Sequence, residues 1–244
     1  MGEAFMWGLV AAATLLLGAV IAIVHPPHNR LLGIVMGFGA GVLLSAVSFE
    51  LIDEAVDSAD DLRGATLGIF AGSIVFTAGD ALVSRLGYAH RKDIDGAAPE
   101  GSGLSIVLGA LLDGIPESAV LGLTLLESGS VGASMLLAVL ISNLPEGIAA
   151  TTSLRAGGWT TAKIGALWGG VMLASAVSAA AGFALLDGAS PSTLAFILSF
   201  AAGAILTMLA TSMMPEAYEH AGRAVGVVTV FGFAVAFLAN WLGG

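Results

Sequence analysis

The chain has 244 residues, of which 57% are hydrophobic and 11% are charged, and its formal net charge is −10. Soluble globular domains carry about 25% charged residues, so this composition excludes an ordinary soluble domain. An acidic chain lacks the basic surface that binds nucleic acid, and a chain without cysteine can form neither disulfides nor thiolate metal sites.

Eight hydrophobic segments, each long enough to cross a bilayer, predict an all-α integral membrane protein. None of them alternates as a transmembrane strand does. The first follows Glu3 rather than a basic stretch and is long for a signal peptide, so we expect a retained span. Short loops indicate a single domain over residues 1–244. The predicted spans are 5–24, 31–52, 64–85, 103–126, 132–154, 162–186, 192–214 and 224–242.

The positive charges favour one side of this predicted bundle. If the loops alternate sides, only Arg63 lies opposite the other seven cationic residues. Because cytoplasmic loops are enriched in lysine and arginine, this predicts a multi-pass protein of the plasma (inner) membrane with both termini outside the cytoplasm. The seven residues are Arg30, Arg85, Arg91, Lys92, Arg155, Lys163 and Arg223.

The sequence also contains an internal repeat. Gly41 and Glu54 in span two are separated by as many residues as Gly203 and Glu216 in span seven, within similar surrounding sequences. Spans two and seven run in opposite directions, so the pattern predicts a 3+2+3 inverted repeat. Such repeats are typical of transporters that bind their substrate near the middle of the membrane.

Polar side chains are concentrated in spans four and five. Span four carries Asp113 and Glu117, and span five carries Ser142, Asn143 and Glu146. Residues three or four apart share a helix face, so the two spans could offer three carboxylates and an amide oxygen to one divalent cation. A charged group at the bilayer centre costs roughly 2.5–3.5 kcal/mol, which a bound cation would offset.

Each of these spans contains a proline beside its glutamate. Pro116 and Pro145 are expected to break the helical hydrogen-bond ladder and to free backbone carbonyls near the carboxylates. The structural alternative is that the polar groups only cap one another or bind hydroxyls within the bundle. Glu50, near the outer end of span two, also has two interpretations: an outer ligand that passes ions inward, or a solvated helix end.

These motifs resemble those of the ZIP (Zrt/Irt-like) family of divalent metal transporters, over nearly the whole chain. Family members usually carry His-Asn-x-Pro-Glu-Gly in span four, where residues 113–118 read Asp-Gly-Ile-Pro-Glu-Ser. The span-five pattern is kept, since residues 142–147 read Ser-Asn-Leu-Pro-Glu-Gly. The resemblance implies alternating-access transport of a divalent metal toward the cytoplasm, with the metal as cargo and neither a cofactor nor an enzymatic activity.

Departures from the family pattern bear on the metal. Asp113 replaces the usual histidine, Gly114 replaces the usual asparagine, and span six lacks the acid with which many relatives complete a second metal site. The resemblance therefore implies one metal centre. Without the imidazole, the expectation of zinc weakens and manganese or ferrous iron gains weight. The expected ligands are Asp113, Glu117, Asn143 and Glu146, supplemented by Ser142 and by Glu50 as an outer relay.

Two other functions remain open on the sequence. One is a ZIP-like membrane sensor or scaffold that binds metal without moving it. The other is an ion-coupled carrier of an organic solute, which predicts cationic side chains or half-helix N-termini aimed at the substrate. The spans have no lysine, arginine or histidine at mid-depth. The expected partners are a divalent metal ion and the lipid bilayer, and homodimerisation stays open.

Overall fold

The computed structural model describes residues 1–59, 62–85 and 103–243. These residues form eight helices and no strand, and each helix is long and apolar enough to cross a membrane. The prediction of an eight-span, all-α membrane protein is confirmed. The helices are α1 (Gly2–Val24), α2 (Asn29–Asp57), α3 (Leu62–Arg85), α4 (Gly103–Ser128), α5 (Ala133–Ala156), α6 (Thr161–Leu186), α7 (Pro191–Ala221) and α8 (Ala224–Gly243).

The helix boundaries agree with the predicted spans except at the ends of α2 and α7. Both helices continue past the predicted ends, at residues 52 and 214, to Asp57 and Ala221. Side-chain caps start two of the helices: the N–H of Lys163 donates to the Thr160 hydroxyl, and the N–H of Thr193 donates to Ser190. Arg91 and Lys92, which contribute to the predicted charge asymmetry, lie outside the described residues.

The helices do not break at the two prolines. Helices α4 and α5 run continuously through Pro116 and Pro145, so the prolines interrupt the hydrogen-bond ladder without ending the helices. A proline removes one N–H donor, but neighbouring helices can hold the turns on either side of it in place. The carbonyls of Leu112 and Ile141 still lose their usual helical donors, four residues ahead, at these positions.

The hydrogen-bond ladder also changes in α2 and α7. Each contains a π-helical segment, Val47–Ile52 in α2 and Leu209–Met213 in α7. The two segments begin the same number of residues after Gly41 and Gly203, so they lie at equivalent positions of the internal repeat. Hydroxyls accompany both: Ser48 donates to the Leu44 carbonyl at 2.7 Å, and Thr211 donates to Thr207 at 2.8 Å. Such bonds bend helices and satisfy carbonyls that the ladder has lost.

Close glycine contacts join the helices in four pairs. In each pair, a glycine of either helix lies against a backbone carbonyl of the other, where a methyl group would overlap the oxygen. The inverted repeat relates the α2–α8 pair to the α3–α7 pair and the α1–α5 pair to the α4–α6 pair, which supports the 3+2+3 inverted arrangement. The pairs are α2–α8 (Gly41 and Gly232), α3–α7 (Gly72 and Gly203), α1–α5 (Gly18 and Gly147) and α4–α6 (Gly122 and Gly182).

The helices assemble into two groups. Helices α1, α4, α5 and α6 pack mainly on one another, as do α2, α3, α7 and α8. The most extensive contact between the groups is that of α2 with α5. Over half of the apolar stretch is buried in α2, α4, α5 and α7, compared with 22%, 28% and 17% in α3, α6 and α8. Helices α4 and α5 therefore present their polar residues inside the protein.

Replacing Gly72 with alanine should lower the melting temperature of the purified protein in detergent. The added methyl group would overlap the carbonyl oxygen of Phe200 and push α3 away from α7. Overpacking of this kind typically costs about 1–3 kcal/mol, although alanine is the better helix former.

The matched control is Gly169→Ala, on an open face of α6 where no atom lies within 4 Å of the added carbon. Its melting temperature should equal or exceed that of the wild type. Equal melting temperatures for Gly72→Ala and Gly169→Ala would contradict the close packing of α3 and α7.

Candidate metal centre

The polar residues of α4 lie on its buried face. Asp113 and Glu117 are only 3% and 2% exposed, and Ser118 beside them is buried as well. Ile115, on the opposite side of the same turn, is 44% exposed. The spacing of four residues thus places both carboxylates on one inner face, as the sequence predicted. Burying two carboxylates in an apolar bundle requires strong compensation.

Helix α5 presents an amide and a hydroxyl to the interior. Ser142 and Asn143 are each 4% exposed, and Glu146 is half-buried. The amide nitrogen of Asn143 donates to the carbonyl of Ala11 in α1 at 3.1 Å. This bond fixes the amide and leaves its carbonyl oxygen as the atom that can bind a cation. The Ser142 hydroxyl donates to the Val139 carbonyl at 3.1 Å, which leaves its oxygen lone pairs for the same purpose.

The structure does not gather these residues into one closed shell. Helix α4 packs mainly on α6, α5 packs mainly on α1 and α2, and α4 and α5 share little contact. Within the described parts of the chain, no group of three or more histidine, aspartate or glutamate side chains is arranged to hold a metal ion. The candidate ligands therefore form two separate sets, one on each helix, which we call half-sites: Asp113 with Glu117, and Ser142 with Asn143 and Glu146.

Helix α6 contributes two serines that the sequence analysis missed. The Ser178 hydroxyl donates to the Ile115 carbonyl, next to Pro116, at 2.8 Å. Ser175 is 2% exposed, and its oxygen would lie 3.5 Å from a Cβ atom placed on Gly114. Small hydroxyl residues of α6 therefore border the α4 half-site, in a span without acidic residues. The burial of Ser175 and the bond of Ser178 to α4 distinguish these serines, and the sequence shows neither.

Glu50 has a partner that neither interpretation of the sequence anticipated. Its carboxylate accepts hydrogen bonds from the backbone N–H groups of Ser134 and Met135, each at 3.1 Å, and so caps the first turn of α5. The first turn of α5 lies about 13 Å along the helix from Asn143, at 1.5 Å per residue. In this conformation Glu50 is therefore far from the other candidate ligands.

A cavity of about 540 Å³ opens beside Glu50, where α2 ends and α5 begins. Its walls include Asp53, Glu54 and Asp57 of α2 and residues 130–134 at the start of α5. Four carboxylates, counting Glu50, thus border one water-accessible space. A cleft lined by one sign of charge raises the local concentration of ions of the opposite sign. The cavity could collect cations at this end of the bundle.

No family model matches the chain. A protein of Arabidopsis thaliana with the name "Putative zinc transporter" is 28% identical to it over 220 residues, which cover 88% of this chain and 35% of that protein. The chain thus spans about a third of the length of this relative. The similarity covers α4, α5 and the helices around them. It is consistent with the resemblance of the sequence motifs to those of the ZIP family.

Proposed function

We propose that the protein transports a divalent metal ion across the plasma membrane toward the cytoplasm. The observation that carries this proposal is the burial of Asp113 and Glu117 on the inner face of a membrane-spanning helix. Intramembrane carboxylates mark ion pathways more often than they serve packing alone. The similarity to a zinc transporter supports metal as the cargo.

The ion is bound by oxygen atoms from both half-sites. Asp113 and Glu117 supply carboxylates from α4, Glu146 supplies a third from α5, and Asn143 and Ser142 supply neutral oxygens. Hard oxygen ligands suit manganese and ferrous iron and also accept zinc. Because α4 and α5 share little direct contact, a cation bound to both carboxylate sets links the two half-sites within their helix group.

Transport proceeds by alternating access, through movement of the two helix groups against each other. All five ligands belong to the group of α1, α4, α5 and α6, which is held together by close glycine contacts and by a bond of 2.9 Å between Trp168 and Thr151. The ions can therefore move with that group as a unit. Contacts between the groups are fewer than those within them, as such a movement requires.

A metal sensor that does not transport is the second candidate function. The observation that favours it is the lack of a closed shell of three acidic side chains among the described residues. Such a protein would bind metal without moving it. Flux measurements separate the two candidates directly.

Glu117→Ala and Glu146→Ala should each abolish most metal uptake into liposomes that contain the purified protein. Each removes one carboxylate from a different half-site, and we expect the uptake rate to fall at least tenfold. Manganese and zinc entry can be followed with a trapped fluorescent indicator. Glu3→Gln, which neutralises an exposed acid at the chain start, is the control and should transport as the wild type does.

Wild-type uptake by both variants would place the pathway elsewhere. Metal binding by the wild-type protein without any flux would establish the sensor instead.

Uptake at low metal concentration should decrease as the external pH falls from neutral into the acidic range. Protons and metal ions compete for the same carboxylate oxygens, so metal binding is complete where the carboxyl groups are ionised and is lost where they are protonated. The competition should raise KM, and an excess of metal should restore the rate. An uptake rate that is independent of external pH at low metal would contradict carboxylate ligation.

Asp113→His should shift selectivity toward zinc. Imidazole is a softer ligand than carboxylate and suits zinc better than manganese. The measurement is the ratio of zinc to manganese uptake from an equimolar mixture, with Asp187→His, at the end of α6, as the control for a histidine elsewhere. An unchanged ratio would show that Asp113 does not contact the ion.

A further inference from the structure

Glu50 connects the two helix groups at a point where they must separate during transport. It belongs to α2, and its carboxylate accepts hydrogen bonds from Ser134 and Met135 at the start of α5. The contact of α2 with α5 is the main one between the groups. An interaction here restrains the movement of α5 relative to α2.

This bond supplies the cap that α5 otherwise lacks at these groups. The first N–H groups of any helix lack partners within the helix, and the N-cap residue of α5 is Gly132, which has no side chain. Glu50 supplies two charged acceptor oxygens at the positive end of the helix dipole. Charge-assisted bonds of this type are shorter and stronger than neutral ones.

The π-helical segment aims Glu50 at α5. Glu50 lies within Val47–Ile52, where each turn holds more residues than an α-helical turn. One extra residue rotates the following side chains by about 100° relative to a regular helix. The irregularity therefore has a definite consequence: it directs a carboxylate of one helix group to the backbone of the other.

The bond also stands between the cavity and the interior. Glu50 and Ser134 line the cavity, while Ala138, one turn further along α5, is fully buried. Ser142, at the beginning of the α5 half-site, follows after one more turn. A cation that enters the cavity can reach that half-site only when the start of α5 and α2 move apart.

We propose that Glu50 is a positioning residue that latches α5 to α2, closes the cavity from the half-sites, and releases α5 when the cation enters from this side. The proposal rests on the proposed function, but the latch can be measured without transport. A latch differs from the outer relay that the sequence suggested for Glu50, because a relay binds the ion directly and a latch acts on the position of α5.

Cysteine labelling tests the latch. Because the chain contains no cysteine, Ala138→Cys provides a single reporter, whose reaction with a water-soluble maleimide is measured in lipid nanodiscs open on both faces. Adding Glu50→Ala should speed the reaction by about tenfold or more, since bonds to a charged acceptor contribute at least the 1.4 kcal/mol that equals a tenfold change. Glu50→Gln, which keeps one neutral acceptor, should give an intermediate rate.

The matched control is Asp53→Asn, which neutralises an exposed carboxylate of the same cavity and should leave the labelling rate unchanged. Equal rates for Glu50→Ala and the parent would overturn the latch, as would an equal acceleration by Asp53→Asn. If Glu50→Ala does not yield a folded protein, Glu50→Gln decides the matter, and a rate equal to that of the parent overturns the proposal.

Transport kinetics separate a latch from a ligand. Losing the latch should lower kcat, because the cavity side no longer closes, and leave KM unchanged or lower. Losing a ligand should raise KM instead, and that result for Glu50→Gln would overturn the proposal. Absence of uptake by the wild-type protein would refute the proposed function, while the labelling result would still decide whether the latch exists.

Discussion

The structure depends on one constraint: two carboxylates are buried in a helix that crosses the membrane. Asp113 and Glu117 cannot be neutralised by their own helix or by α5 near them, because residues 103–154 contain no lysine, arginine or histidine. In the proposed function, a cation supplied from outside offsets the cost of burying these carboxylates. Ser175 and Ser178 of α6, which lie next to α4, add hydroxyl oxygens and no positive side chain.

Packing within each helix group relies on glycine, because a glycine lets two helix backbones approach closely. Reciprocal glycines bring the backbones together within each group, as at Gly72 and Gly203 or at Gly18 and Gly147. Between the groups, the contacts are fewer, and Glu50 makes one of them. The closest packing thus lies within the groups.

The parts that could be predicted from the sequence are those set by local periodicity. Hydrophobic runs define the eight spans, and the spacing of Asp113 and Glu117 defines their shared face. The π-helical segments could not be predicted, because the amino-acid composition of a π-helical turn does not differ from that of other apolar sequence. The continuity through Pro116 depends on the helices packed around it. The partner of Glu50 lies on another helix, and no periodicity relates residues so far apart. Whether the half-sites meet depends on the position of whole helices, which local patterns do not determine.

A perfect inverted repeat would make the two ends of the protein equivalent. A preferred direction of transport can therefore arise from residues that differ between the two halves. Ser212 in α7 stands at the position that Glu50 occupies in α2, each within its π-helical segment. A neutral hydroxyl cannot replace two charge-assisted bonds to a helix terminus. If Glu50 acts as the proposed latch, the conformation closed on its side is stabilised relative to the mirror state. An inverted repeat with identical residues would populate both states equally, so a single substitution between the halves is sufficient to bias the resting state. The acidic cavity on the latched side then makes cation entry the event that opposes this bias.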